Sequence, residues 1–392
     1  MRLKHCYNTR DFRELARRRL PAALFHYIDG AADDEVTCRR NTEAFESCDL
    51  VPNVLTGVTD VDLTTTVLGQ QLDVPLFFSP TAMQRLFHPH GEYALARAGE
   101  KFGTLYGLST IGTRSIEEMG SFSNGPKLFQ IYVHKDTAFT SELISRCKAA
   151  NFNALALTVD TIVAGNRERD FIYGMTTPPK LTLKSLVSFA LHPFWTLSYL
   201  FSDNFDLPNV GNIEAGRKVA TSIVDYLDNQ IERCIRWDDA SKMIEEWGGP
   251  FAIKGIMSVA DAKMAVQVGA SAIMISNHGG RQLDGSRAPF DQLPAIADAV
   301  GGDIEIIVDG GIRRGTHVLK ALALGATACS GGRMYLYALA AAGTAGVERA
   351  FGLIRDEIER DMALMGCKRI SDLNASMVAG REVARVSRAA AT

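Results

Sequence analysis

The sequence predicts an α/β protein: a (β/α)8 TIM barrel with N-terminal helices and a long insertion after strand 4. Three observations carry this. Eight short apolar runs follow one another (75–78, 104–108, 127–131, 154–157, 250–253, 272–275, 304–308 and 326–329), and each reads as a buried parallel strand. Most are followed by an amphipathic or alanine-rich stretch, such as 92–102, 138–149, 259–268 and 315–324, and this alternation means a parallel sheet covered by helices. An open doubly wound sheet would place a Gly-x-Gly-x-x-Gly turn after its first strand. This chain has Ser79-Pro80-Thr81-Ala82 there, so the closed barrel fits better.

Residues 1–73 read as an N-terminal helical segment. Asn8 or Thr9 as cap, with Phe12, Leu15, Ala16 and Leu20 at helical spacing, predicts a helix over 9–25. Arg17-Arg18-Arg19 reads as its solvated face. The run from Tyr27 to Glu35 then precedes a short helix ending near Phe45; helices placed here close the bottom of a barrel or flank its mouth. The barrel spans 74–365, and 1–392 reads as a single domain. Its alternation breaks after Asp160, and the insertion 161–237 is far longer than an ordinary βα loop. Within it, 185–201 has no charged residue besides His192, holds a central proline, and is shorter than the ~20 residues of a membrane span. Its Trp195 and Tyr199 suit a bilayer interface. The stretch reads as a monotopic membrane contact or a hydrophobic active-site lid, with packing onto the barrel or a neighbouring subunit as the plain alternative.

Composition excludes some classes. A net charge of −3 gives no case for nucleic-acid binding. Seven scattered cysteines without a C-x-x-C pair read as reduced thiols rather than a disulfide frame or metal site. Met-Arg-Leu-Lys-His, with no apolar core after it, predicts a cytoplasmic protein, peripheral on the inner face of the cell membrane if 185–201 touches lipid.

The chemistry centres on Ser276-Asn277-His278-Gly279-Gly280-Arg281-Gln282-Leu283-Asp284-Gly285, just past the sixth run. That position is the active face of a barrel. Histidine exchanges protons near neutral pH, arginine offers a fork to a carboxylate, and the glycines let backbone pass close to a flat ligand. A solvated polar loop is the alternative. Two glycine-rich turns, from Asp309 to Gly315 and Gly331-Gly332-Arg333, follow the last two strands, where such barrels bind phosphate. Lys254 ends a strand and faces the mouth. Gln130 and Thr158 lie in or at the end of apolar strands and need polar partners.

The segment Ser276–Asp284 resembles the signature of the FMN-dependent 2-hydroxy-acid dehydrogenase and oxidase family, and family-like segments recur in order from about Tyr27 to Arg333. The resemblance implies FMN as cofactor and an L-2-hydroxy acid as substrate, L-lactate going to pyruvate. It implies that Asp309, Gly310, Gly311, Arg313, Gly332 and Arg333 hold the ribityl chain and phosphate. Lys254 would lie near flavin N1, where a fixed cation stabilises the anionic reduced ring. Pro80, Thr81, Ala82, Ser109, Gln130, Thr158 and Ser276 match the other cofactor contacts. Arg281 and Arg167 match the carboxylate clamp, Tyr27 and Tyr132 the hydroxyls that touch substrate, His278 the base and Asp160 its partner. The bland alternatives are a cap for Asp160, a surface ion pair with Glu168 for Arg167, and a packing ring for Tyr27. His278 takes either the α-proton or the hydroxyl proton; the same residues serve both schemes.

The insertion and the segment from Phe25 to Ala31 look most like bacterial L-lactate dehydrogenases, which points to a quinone or other acceptor. Pro80-Thr81-Ala82-Met83-Gln84 looks more like glycolate oxidase, which points to a soluble, peroxide-forming oxidase. Ile111 stands where some members carry a large aromatic beside the substrate side chain. A catalytically silent flavin-binding scaffold would have lost the base or the clamp, and both are present. Family members are commonly homotetramers, and no cytochrome domain is expected ahead of the barrel.

Overall fold

The computed structural model describes residues 2–175, 183–202, 205–210 and 230–380. Eight parallel strands close into a barrel in sequence order: β1 (Leu76–Phe78), β2 (Tyr106–Ser109), β3 (Lys127–Ile131), β4 (Ala154–Thr158), β5 (Phe251–Ile256), β6 (Ala272–Ser276), β7 (Glu305–Asp309) and β8 (Ala328–Gly331), with β8 pairing back onto β1. Several strands run one to three residues beyond their apolar cores. Most of the extra residues are polar or glycine, yet their backbones continue the ladder, as where Thr158 pairs with Lys254 and Asp309 with Ser276.

Period-two geometry sorts each strand. Phe77, Leu105, Leu128, Ala156, Ala252, Met274, Ile307 and Ala328 meet inside the barrel as one dry cluster. The intervening residues, such as Leu155, Leu157, Ile253 and Ile275, pack outward against the helices. The next inward position toward the carboxyl end is polar in seven of the strands, at Ser79, Gln130, Thr158, Lys254, Ser276, Asp309 and Ser330; in β2 it is Gly107, and Ser109 follows one inward position later. The hairpin of Thr65–Val67 and Gln70–Leu72 plugs the opposite end, with Val67, Leu68 and Leu72 joining the interior cluster and Leu68 N donating to Glu305 Oε2 at 2.7 Å.

The predicted helix over 9–25 is two helices, Thr9–Arg19 and Ala22–Asp29. Pro21 lies at the break, where it can start a helix but not continue one. Asn8 is the cap of the first, accepting from Asp11 N at 3.1 Å. Arg17 and Arg18 are exposed and pair with Glu14. The second helix carries Tyr27 to the barrel mouth. The short helix before Phe45 is Val36–Glu43. A long helix, Arg333–Met365, leaves β8 and breaks at Gly343, whose φ of 58° is open to glycine.

Within the insertion, Leu183–Ala190 and Pro193–Leu200 are helical. They are tied down by Ser188 Oγ, which accepts from Ala22 N at 2.9 Å, and by Trp195 Nε1, which donates to Leu86 O at 2.9 Å. Their other side is bare: Leu191 is 73% exposed, Phe194 91%, Leu200 69% and Phe201 87%. The rest of the insertion, at 176–182, 203–204 and 211–229, and the tail beyond 380 lie outside the described residues. None of the seven cysteines forms a disulfide.

Candidate active site

The polar layer at the carboxyl ends forms the floor of a cleft walled by the βα loops and the helix Ala22–Asp29. Eighteen of the twenty residues singled out from the sequence line it. The other two stand immediately behind: Ser276 bonds Lys254, and Asp160 bonds His278.

Asp309 is the hub of the floor. Its Oδ1 accepts from the hydroxyls of Ser79 and Ser330, the latter at 2.7 Å. Its Oδ2 accepts from Ser276 Oγ at 2.8 Å and pairs with Lys254 Nζ at 2.9 Å. Burial opposes the charge on Asp309, but Lys254 and the hydroxyls outweigh it and hold the carboxyl well below its usual range. Burial likewise works against the Lys254 cation, and Asp309 and Asp160 more than reverse that. The floor therefore carries a fixed, hydrogen-bonded lysine cation. Ser79 and Ser330 were not anticipated, although strand parity alone puts them in the same layer.

His278 follows β6 in a left-handed conformation, φ 56°, uncommon for a non-glycine residue and typical of functional turns. Its Nδ1 lies 3.0 Å from Asp160 Oδ1. Burial raises the Asp160 pKa, but His278 and Lys254 together bring it below the ordinary value. The carboxylate accepts the Nδ1 proton, which leaves Nε2 as the basic nitrogen on the cleft side. Gly255 makes room for this dyad: at φ 112° its missing Cβ would lie 2.8 Å from Asp160 Cβ. Gln282, also unanticipated, braces the Asp160 loop by donating from Nε2 to Asp160 O at 3.0 Å and Val163 O at 2.8 Å.

Arg281 and Arg167 converge on the Tyr27 ring, with guanidinium carbons 4.8 and 5.6 Å from its centroid. Arg167 pairs with Asp170 at 3.4 Å, not with Glu168. Among the described residues Arg281 is bonded only to the main-chain oxygens of Tyr27 (2.6 Å) and Gly30 (3.1 Å), and burial followed by Arg167 lowers its pKa to about 10. A buried cation pair with one acid between them is short of negative charge. Tyr132, at the end of β3, is buried; burial and Asp160 push its pKa up to about 12, so its hydroxyl stays a donor. Ile111, Met83, Tyr132 and Ile231 form an apolar wall beside it.

At the glycine-rich turns, Arg313 and Arg333 are a second pair without an acid partner among the described residues. Arg333 donates to the main-chain oxygens of Ile28, Gly279 and Gly30, and Arg313 to that of Ile312. Burial lowers the pKa of Arg313. Gly311, at φ 77°, admits no side chain, since a Cβ would sit 1.8 Å from Asn41 O. On the same cleft, Gln130 Nε2 and Thr158 Oγ1 are buried without partners. Such orphaned polar atoms on a cleft wall mark the place of a polar ligand. A flat hydrogen-bonding body would satisfy them, and anionic groups would suit the arginines.

These features define a barrel enzyme whose cleft suits a phosphate-bearing planar cofactor, with the His278–Asp160 dyad and the Arg167 and Arg281 guanidinium groups beside it. Comparison with known proteins agrees. The FMN-dependent dehydrogenase family profile matches residues 16–380, and the chain belongs to that family. It is 43% identical over 379 residues to an L-lactate dehydrogenase of Xanthobacter autotrophicus, covering 96% of each chain. It is 38% identical over 372 residues to the glycolate oxidase of Spinacia oleracea, covering 95% of each. Among solved structures it superposes on a monotopic membrane protein, (S)-mandelate dehydrogenase, with a TM-score of 0.90 at 31% identity, over 96% of this chain and 100% of the other. The protein is thus an FMN-dependent dehydrogenase, and the orphaned Gln130 and Thr158 and the arginine pair at the glycine-rich turns fit that cofactor. Among the described residues there is no group of side chains that could hold a metal, and no helix long and apolar enough to cross a membrane.

Proposed function

We propose that the protein oxidises an L-2-hydroxy acid, L-lactate to pyruvate in the first instance, and passes the electrons to a quinone or another acceptor at a membrane surface. The observation that carries the chemistry is the His278–Asp160 dyad on one side of the cleft with Arg281 and Arg167 on another. The arginines hold the substrate carboxylate, and the Tyr132 hydroxyl donates to a substrate oxygen. His278 Nε2 takes a proton from the substrate, and Asp160 stabilises the imidazolium that results. Bound FMN supplies the two-electron acceptor, held by Arg313, Arg333 and the turns at Gly310–Gly311 and Gly332. Its ring would be served by Pro80, Thr81, Ala82, Ser109, Gln130 and Thr158, with Lys254, backed by Ser276, as the cation for the reduced form.

Choice of L-lactate rests on the full-length similarity to L-lactate dehydrogenases at 41–43% identity. The apolar wall at Ile111 and Met83 suits a small alkyl substituent. The membrane part rests on the exposed apolar residues of the two insertion helices, Leu191, Phe194, Leu200 and Phe201, since clustered exposed apolar side chains mark interaction sites. Similarity to glycolate oxidases supports a second reading, direct transfer to oxygen. A homotetramer, as the family resemblance implies, is compatible with either. Anaerobic bleaching of the flavin band tests the set. Fast bleaching by L-lactate with slow recovery in air supports the dehydrogenase; fast recovery with peroxide supports the oxidase. No bleaching by L-lactate, glycolate, mandelate or longer 2-hydroxy acids overturns both.

A further inference from the structure

We infer that Asp29 and Arg169 are positioning residues for the substrate clamp: their ion pair locks the loop that carries Arg167 onto the helix end that holds Arg281. The inference rests on the reading of Arg167 and Arg281 as the carboxylate clamp.

Asp29 is the last residue of the helix Ala22–Asp29 and is buried. A carboxylate there faces the negative end of the helix dipole, so local energetics alone disfavour it. It is kept by unusually complete pairing. Arg13 binds both oxygens, at 2.5 and 2.8 Å, Tyr337 donates to Oδ1 at 2.8 Å, and Arg169 Nη2 donates to Oδ2 at 2.9 Å. A residue in a poor local position with this many partners points to a role beyond the helix itself.

That role is visible on the other side of the same turn. The free carbonyls at the helix end are used as a cradle for the two arginines of the cleft. Tyr27 O and Gly30 O accept from Arg281; Ile28 O and Gly30 O accept from Arg333. Wherever this helix end goes, the two guanidinium groups and the Tyr27 ring go with it. Asp29 fixes it against the long C-terminal helix through Tyr337 and against the first helix through Arg13.

Arg169 connects that turn to the insertion. It lies two residues after Arg167, in the short helix Glu168–Ile172. Besides Asp29 it binds both oxygens of Glu35 at 3.2 Å and the Nδ1 of His26, the residue before Tyr27. Tyr173 stacks on His26 with ring centroids 3.6 Å apart. Asp33 N donates to Asn166 O at 2.9 Å, and Asn166 Nδ2 donates back to Asp33 Oδ1 at 2.8 Å. Among the described residues Arg167 itself is held in its own segment only by Asp170, so its aim depends on how this segment is seated.

The test is Arg169→Met. Asp29 keeps Arg13 and Tyr337, so the fold is expected to stand. Oxalate affinity, read from perturbation of the visible flavin band, should weaken about tenfold to a hundredfold, with KM for L-lactate rising in parallel while kcat stays within about threefold and FMN stays bound, because a misaimed clamp loses substrate affinity first. Arg169→Lys, which keeps the charge but not the fork, should fall between wild type and Arg169→Met. A lowered thermal midpoint with unchanged oxalate affinity would mean a structural role only and overturn the inference. Arg281→Lys separates the two readings. If it leaves oxalate binding intact, the clamp reading falls and this inference with it; if it weakens binding while Arg169→Met does not, the positioning role alone is overturned.

Discussion

Replacing Asp160 by Asn keeps the shape of the dyad and removes its charge. The Asp160 oxygen is 3.0 Å from His278 Nδ1, which puts the charge centres about 4 Å apart when the imidazole is protonated. At an effective dielectric of ~20 that attraction is about 4 kcal/mol. Since about 1.4 kcal/mol is a factor of ten in rate, up to ~10³-fold of substrate-driven flavin reduction depends on the carboxylate if the proton is fully on His278 at the barrier. Lys254 works in the same direction, because with Asp160 neutral its cation opposes the imidazolium. Asp160 Oδ2 is buried without a partner, so an amide NH2 there would be an unpaired donor costing ~1–3 kcal/mol of stability. The assay is anaerobic stopped-flow reduction at saturating L-lactate, which separates this step from reoxidation. A rate within tenfold of wild type, in a variant with FMN bound, would show that His278 does not gather positive charge in the reduction step and would refute the dyad as drawn.

Other consequences are readily checked. Lys254→Met strands the Asp309 carboxylate in the floor; breaking a buried pair costs ~3–5 kcal/mol, so the thermal midpoint and FMN retention should both fall, and an unaltered flavin potential would count against the lysine's role. Burial lowers the pKa of His26, His88, His134 and His317 to about 4 from 6.5, so between those values the unfolded chain binds more protons than the folded one. Stability should therefore start to decline as pH drops below about 6.5, and decline further below about 3.8 as the depressed Asp29, Asp160 and Asp309 take up protons; a midpoint flat from pH 7 to 5 would contradict this. Changing Phe194, Leu200 and Phe201 together to Ser should release the protein from anionic lipid vesicles in a flotation assay, each large apolar side chain being worth ~1.5–3 kcal/mol of burial. Wild-type protein that never floats with vesicles would end the membrane reading.

Much of this architecture is written in short-range pattern. The eight strands show in the sequence because a barrel strand is apolar on both faces, and the glycine-rich turns show because few other residues tolerate φ near 70° at Gly279 and Gly311. What escaped has a common physical cause. Ser79 and Ser330 are small hydroxyls that become part of the site only when the barrel closes and brings β1, β7 and β8 around Asp309, a contact spanning 230 residues of chain in one case. Parity counting from Phe77 and Ala328 would have found them, since both lie two residues along the inward face. The break at Pro21 was hidden by apolar spacing that continues in phase through it. Pairwise chemistry was the least legible. Arg167 is followed in sequence by two acids, Glu168 and Asp170, and only the turn of the Glu168–Ile172 helix decides that Asp170 is the partner. Asp29 illustrates the limit in its strongest form. Read locally, an acid closing a helix is an error; it becomes intelligible only when Arg13, Arg169 and Tyr337, from three separate parts of the chain, are seen to meet it. A local rule broken at a buried residue is therefore itself a signal, because the tertiary contacts that outweigh it must be strong and specific. In this chain that signal lies beside the main-chain oxygens of Tyr27 and Gly30 that hold Arg281 in the cleft.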